Sequence, residues 1–351
     1  MAHSYYIAAR AIMSASAAAA AAAAAKKGDQ ARKLARLSHI AEKERARGRP
    51  VNTRAHSDAT SVIQTAQRQV FGALGLEDVE LESSARSRTH MNPLSIGIIK
   101  PLPPPASWGF ADATKPLIVD VGCAAGRFSL LMASQSELAL PDLVDVNHLG
   151  LEIKPKLVER ANTWAQAKQL AGRVQYLQAS ANASLAGLCK GYPGPVRCVC
   201  VQFPDPHFKR KHHKRRVVDA AFLGVVVDVL EDNGYLFVQS DVEEAAAQMR
   251  DRSDLVGALE RVGQYSPRDV RLVGAEVAAG SRASEAYWTE AGKRALLDGG
   301  GGGGGDYGDW LLGPNPLGVP TEREVQNEAL GLPIYRALFR RKPRAALDSA
   351  V

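Results

Sequence analysis

The sequence predicts an α/β fold built on a doubly wound, mostly parallel seven-stranded sheet. Short apolar runs alternate with helix-length segments from residue 116 onward, which is the pattern of right-handed βαβ units. The first run carries Asp120 near its end and is followed by Gly122-Cys123-Ala124-Ala125-Gly126, and the second run ends on Glu152. Acids and glycines at the carboxyl ends of neighbouring strands are what a nucleotide-type crevice requires.

Leu117–Val121 reads as the first strand, and the glycine turn leads into a helix reaching about Gln135. His148–Glu152 is the second strand. Pro155 suits the first turn of a helix, where a missing N–H costs nothing, and this helix runs to about Ala171. Val174–Gln178 is the third strand and Val196–Phe203 the fourth. Val217–Glu231 is helical, Asn233-Gly234 a turn, and Tyr235–Gln239 the fifth strand. A helix over Val242–Val262 precedes a sixth strand near Val270–Val273, and Pro320–Gly331 (helix) and Pro333–Phe339 (strand) close the chain. Residues 116–345 thus form one domain, with an insertion at about 279–318 that carries Gly299–Gly305, a seven-glycine run too flexible to pack.

Residues 57–115 form a lead-in segment of weak periodicity, and residues 1–56 an alanine-rich, basic extension. The first acid in the chain is Asp29, and Ala17–Ala25 is unbroken alanine. Basic, serine-bearing, acid-free composition is that of an organellar transit peptide; low-complexity filler has the same look. The net charge of +7 sits in this extension, because ten Lys/Arg face three Asp/Glu between Lys26 and Arg54. With Arg10 set aside as well, 33 basic and 34 acidic residues remain after position 56. The body is therefore nearly neutral. Cys123, Cys189, Cys198 and Cys200 lack any metal-ligand spacing and read as reduced core residues, with no metal site expected. No apolar run approaches the roughly 18 residues of a membrane span, so a soluble chain without a membrane partner is expected.

Against a neutral body, the stretch Phe203-Pro-Asp-Pro-His-Phe-Lys-Arg-Lys-His-His-Lys-Arg-Arg216 stands out, with six Lys/Arg and three His in its last ten residues. Such a cluster is either a solvated helix start or a surface for an anionic partner, and a phosphate backbone is the natural one. Asp205, between two prolines at a strand's carboxyl end, is placed for chemistry there. The glycine turn lacks the middle glycine of a dinucleotide fingerprint, which is Ala124 here, and Glu152 is placed for ribose hydroxyls. A pyrophosphate-free adenosyl ligand such as S-adenosylmethionine fits this better than NAD. Asp120 then lies near the cationic methionine end, or simply caps the turn. Asn182 is placed for an adenine edge or is a turn residue, and Asp241 for a ligand or a helix N-cap. Thr321-x-x-Glu324 also has the form of a capping box.

These residues resemble the tRNA (guanine-N7)-methyltransferases over roughly Arg86–Arg341. The most specific element is the 203–216 segment. Gly150-Leu-Glu-Ile-Lys154, Ala181-Asn-Ala183, Phe237-Val-Gln-Ser-Asp241, Thr321-Glu-Arg-Glu324, Gly331-Leu-Pro-Ile-Tyr-Arg336 and Arg86-Ser-Arg-Thr-His-Met-Asn-Pro-Leu94 support it. Pro-His-Phe and the doubled histidine are most similar to plant and algal plastid members, which implies the chloroplast, with cytoplasm or nucleus as alternatives. The resemblance implies a Rossmann-like class I S-adenosylmethionine-dependent methyltransferase that forms N7-methylguanosine at position 46 of the tRNA variable loop. It implies a cofactor site of Asp120, Gly122, Glu152, Asn182 and Ala183. It implies a catalytic Asp205, and tRNA or guanine contacts at Lys209, Asp241, Thr321 and Glu324. Departures from the family pattern are Ala124 for glycine, Lys154 for arginine and the 279–318 insertion. A monomer is expected, and the need for a companion subunit stays open. Other readings are a catalytically silent RNA-binding protein, a methyltransferase with another substrate and, more distantly, a dehydrogenase.

Overall fold

The computed structural model describes residues 53–76, 79, 102–134, 143, 145–207, 212, 215–262, 310–311, 315–330 and 332–345. The extension before residue 53, most of the lead-in's second half, the expected strand at 270–273 and the glycine run all lie outside the described residues. The chain divides into two compact units, Met1–Gln67 with Val325–Pro333, and Arg68–Glu324 with Ile334–Val351. In the first, Leu330 is buried against Ile63 and Leu332. The second carries the sheet.

In chain order the elements are α1 (Thr53–Phe71), β1 (Leu117–Val121), α2 (Arg127–Ala133), β2 (Asn147–Glu152), α3 (Pro155–Ala167), β3 (Val174–Gln178) and α4 (Ala181–Lys190). Then follow β4 (Val196–Gln202), α5 (Ala220–Val229), β5 (Leu230–Ser240), α6 (Glu243–Asp254), β6 (Leu259–Arg261), α7 (Glu322–Ala329) and β7 (Tyr335–Arg341). The seven strands order as β3-β2-β1-β4-β5-β7-β6. The first five run parallel, and β7 is antiparallel to both β5 and β6. Every residue of β1 and β2 is buried, as expected of parallel strands covered on both faces. The strand order reverses between β1 and β4. The crevice at a doubly wound sheet's carboxyl edge opens at such a reversal, and here it lies between the glycine turn after β1 and the Pro-Asp-Pro corner after β4.

Several boundaries differ from the sequence reading, and three of them have a clear local reason. The helix expected from Val217 begins at Ala220, because Asp219 caps it by accepting from the Phe222 amide at 2.8 Å. The helix expected to reach Val262 ends at Asp254, and Leu259–Arg261 leaves it to pair with β7 as the sixth strand. Gly257 and the bond from the Leu259 amide to the Val256 carbonyl turn the chain there. The helix from Pro155 stops at Ala167, and Gln169 just beyond it adopts φ 56°. The fifth strand begins at Leu230, inside the stretch expected as helix and turn, because Leu230 already pairs with Val196 of β4; Asn233, with positive φ, sits at the register shift before the main pairing from Tyr235. All four cysteines are unpaired and buried.

The glycine turn is fixed by what packs on it. Gly126 has φ 77°, and a Cβ there would lie 2.4–2.7 Å from the Tyr176 ring, whose hydroxyl donates to the Gly126 carbonyl at 2.6 Å. Gly122 has the same φ but nothing within 4 Å of a Cβ position. One glycine is required by packing and the other faces open space. Gly126→Ala should therefore destabilise the protein by about 2–4 kcal/mol, and Gly122→Ala by about 1–2 kcal/mol from backbone strain alone. Urea unfolding of the two variants would reveal the difference.

Candidate functional site

A cleft of about 290 Å³ opens at the carboxyl edge of β1, β2 and β4. Its lining includes Gly122, Glu152, Lys154, Ser180, Asn182, Gln202, Phe203, Asp205, His207 and Arg215. Of the expected site residues, Gly122, Glu152, Asn182 and Asp205 meet in this one cleft. Asp120 lies beneath the glycine turn, 4 % exposed. Ala183 is exposed on the first turn of α4 but does not line the cleft. Asp241, Thr321 and Glu324 lie elsewhere at the same sheet edge, and Lys209 is outside the described residues.

Glu152 ties β2 to the glycine turn. One carboxylate oxygen accepts from the Ala124 amide at 3.2 Å and the other from the Lys154 amide at 2.9 Å. Burial raises its pKa, and the backbone amides and Lys154 oppose that rise. Asp120 is more extreme: desolvation pushes its carboxyl up to about 7, against the hydrogen bond from Gln202, with the Glu152 charge adding to the rise. Asn182 donates one amide N–H to the Val217 carbonyl at 2.9 Å. That leaves the remainder of its amide for a ligand.

The Asp205 corner is strained and braced. Phe203 and His207 flank Pro204-Asp205-Pro206 with φ 50° and 45°, a region that costs non-glycine residues on the order of 1–3 kcal/mol each. The Asp205 carboxylate accepts from the His207 amide at 3.1 Å, and His207 Nδ1 lies 3.7 Å from the same oxygen. Arg216, the last residue of the basic run, is turned inward and 7 % exposed. It donates to the Pro206 carbonyl at 2.8 Å, to Gln248 Oε1 at 2.6 Å and to Glu244 Oε1 at 3.0 Å, clamping the corner to α6. Arg215 lines the cleft instead. The last two residues of the run thus divide, Arg216 serving the corner and Arg215 the cleft.

Thr321 and Glu324 make both halves of a capping box, Thr321 Oγ1 accepting from the Glu324 amide at 3.1 Å and Glu324 Oε2 from the Thr321 amide at 3.2 Å. The Glu324 side chain is fully buried and ion-paired with Arg336. It also accepts from Gln239 at 3.2 Å and Asn315 at 2.9 Å. Asp241 is not an N-cap, the residue before α6 being Val242; its carboxylate holds the Arg323 guanidinium at 2.6 Å. Glu322 in the same turn pairs with Arg127 of α2, whose guanidinium lies over the Trp164 ring. The first turn of α7 is therefore tied to the helix after the glycine turn, to the end of β5 and to β7. Gln202, Gln239, Asn315, Arg336 and His207 were not picked out by sequence reasoning. The usable signal was a glutamine directly after each of two apolar runs, Cys198–Val201 and Leu236–Val238.

A seven-stranded sheet of this order, with an acid near the end of its first strand, a glycine turn and a second acid on the neighbouring strand, defines a class I methyltransferase. A family model described as "Putative methyltransferase" matches residues 114–285. The chain is 35% identical over 259 residues to a protein of Synechococcus sp. (strain JA-3-3Ab) named tRNA (guanine-N(7)-)-methyltransferase, covering 73% of this chain and 86% of that one. Proteins of the same name from Nostoc sp. (strain PCC 7120) and Synechocystis sp. (strain PCC 6803) are 35% and 32% identical, over 73% and 74% of this chain and 94% and 98% of theirs. The chain belongs to the tRNA (guanine-N7)-methyltransferase family.

The buried Asp120 gives a pH test on the ligand-free protein. Its folded pKa, about 7, is raised above the ordinary carboxylate value. The stability associated with the protonated form is complete in acid, below about 4, and is lost as pH rises through about 7. Asp120→Asn cannot ionise, so it should melt higher than the parent at about pH 8 and close to it at about pH 4. Thermal melts at both pH values check this; a difference that does not depend on pH contradicts it.

Proposed function

We propose that this chain transfers the methyl group of S-adenosylmethionine to N7 of guanosine 46 in the tRNA variable loop, acting as a monomer in the chloroplast. The observation that carries this reading is that one cleft is lined by Gly122, Glu152 and Asn182 on one side and by Asp205 on the other. The cleft suits the cofactor. Its wall is open where a Gly122 Cβ would project, its lining offers the Glu152 carboxylate and the Asn182 amide, and the Asp120 carboxylate is buried beneath the glycine turn. When bound, S-adenosylmethionine supplies a methyl group already activated on a sulfonium. In this reading Glu152 holds the ribose, Asn182 the adenine, and Asp120 the cationic amino-acid end. The acid-free alanine-rich leader supports the chloroplast assignment.

Guanine N7 has an exposed lone pair and no proton, so no general base has to unmask it. The chain's task would be to hold the guanine against the bound methyl donor. Methylation at N7 would leave the purine ring cationic. The Asp205 carboxylate stabilises that growing ring charge more than the neutral ground state, the condition for acceleration. Its strained corner, braced through Arg216, fixes the carboxylate before substrate arrives. Arg215 and Lys209 bind phosphates, Asp241 and Thr321 border the guanine side, and the buried Glu324 holds that edge in place from within.

The deciding experiment is methyl transfer to unmodified tRNA transcripts, with N7-methylguanosine located by nucleoside mass spectrometry and RNase mapping. Product at position 46 is expected from the parent, none from Asp205→Ala, and a rate reduced on the order of 100-fold from Asp205→Asn, which keeps shape and loses charge. Cofactor binding without product from the parent would favour a silent RNA-binding protein.

The two neighbouring arginines should also separate. Arg215→Gln should reduce the slope of log affinity for tRNA against log salt by about 0.7–0.9, the loss of one phosphate contact. Arg216→Gln should leave the slope unchanged and lower the melting temperature. Filter binding across a salt series, with melts in parallel, distinguishes the two effects.

A further inference from the structure

The polar row beneath the cleft has only one consistent set of amide orientations. Gln202, Gln239 and Arg336 stand opposite one another on β4, β5 and β7. Arg336 can only donate, so Gln239 turns its oxygen toward it, accepting from Arg336 Nε at 3.1 Å. The Gln239 nitrogen then faces Glu324, which as a carboxylate can only accept, and Gln202 Oε1 at 2.8 Å. Asn315 is fixed in the same sense: its oxygen accepts from the Leu317 amide at 2.9 Å, and its nitrogen donates to Glu324 at 2.9 Å and faces Gln202 Oε1 at 3.4 Å. With its oxygen claimed twice, Gln202 has only its nitrogen left for Asp120, at 3.4 Å.

We propose that Gln202 is a positioning residue whose amide, locked by Gln239, Asn315 and the Glu324–Arg336 pair, presents only a donor to Asp120 and so keeps that carboxylate ionised for the cationic amino-acid end of the cofactor. A protonated Asp120 would need an acceptor, and the row denies it one. Among the described residues, the other titratable groups around Asp120 are Glu152 at the end of β2, Cys123 in the glycine turn, Tyr176 on β3 and Cys200 on β4. None is a cation. Burial and the Glu152 charge both favour the protonated acid, and the Gln202 donor is the side-chain contact that opposes them. This assignment rests on the cofactor reading above.

Gln202→Leu tests it with little collateral loss, because Gln239 and Asn315 both keep Glu324 as acceptor. The measurement is equilibrium binding of S-adenosylhomocysteine by calorimetry from about pH 5 to about pH 9, with 5′-methylthioadenosine, which lacks the amino-acid tail, as control ligand. In the parent, S-adenosylhomocysteine affinity should fall as Asp120 takes up a proton. In Gln202→Leu the fall should begin at higher pH, costing about tenfold in affinity per unit of displacement in that range, and affinity should recover at the alkaline end. The control ligand should show no such displacement. If the leucine variant does not fold, near-isosteric Gln202→Glu replaces it; its two carboxyls must share a proton, which moves the fall further in the same direction. A loss of equal size at every pH, or an unmoved midpoint, overturns the role of Gln202. A parent that binds neither ligand at any pH overturns the cofactor reading itself.

Discussion

The Glu324–Arg336 ion pair, buried at the sheet's carboxyl edge, is the constraint from which the rest of the site's geometry follows. Both side chains are withdrawn from water, which costs several kcal/mol per ion unless every remaining lone pair and N–H finds a partner. The fold supplies them. Arg336 also donates to Gln239, and Glu324 also accepts from Gln239, Asn315 and the Thr321 amide. Satisfying the pair therefore fixes the start of α7, the loop at Asn315 and the tips of β4 and β5 together. Thr321 and Glu324, which read from spacing as a helix cap, are a cap, and the same carboxylate is the keystone of the row that ends at Asp120. A capping role and a hydrogen-bonded link toward Asp120 are one arrangement here.

A second constraint acts at the Asp205 corner. Two residues with left-handed backbone flank a Pro-Asp-Pro tripeptide, and such strain persists only where neighbours over-determine it. The Arg216 guanidinium does this through the Pro206 carbonyl and two side chains of α6. Part of a basic run that looks uniform as sequence is thus internal mortar. Adjacent residues have opposite fates, Arg216 inward and Arg215 at the cleft, because the corner needs one planar, multiply donating cation and a lysine could not fill the position.

Much of the fold was legible in the sequence because burial on both faces leaves an unambiguous mark. Leu117–Val121 and Val196–Gln202 are apolar enough to be nothing but interior strands, and Pro155 announces its helix. Leu259–Arg261 was not legible: Leu-Val-Gly-Ala-Leu-Glu-Arg suits a helix's tail as well as a strand, and only pairing with β7 decides between them. In the site, Asp120, Glu152 and Asp205 could be picked out because a carboxylate at the end of an apolar strand is conspicuous. Gln202 and Gln239 occupy equivalent positions but carry no charge, and nothing local shows that they face each other across two strands. Their role exists only in the register between β4 and β5, which sequence spacing does not encode.

The two carboxylates assigned to the chemistry occupy opposite dielectric settings. Asp205 is half exposed, so water supports its charge and the corner need only hold it in place. Asp120 is sealed under the glycine turn, where burial makes its charge unfavourable. A charge held in such a place interacts more strongly with any opposite charge than an exposed one does, because solvent does not screen it. It also makes the empty protein pay in stability, and the ladder of amides from Glu324 limits that cost. Position on the sheet explains the division of labour. The acid beside the first glycine turn is buried by the strands on either side of it. The acid after β4 stands on a corner that leaves the sheet, where a large polyanionic substrate can reach it.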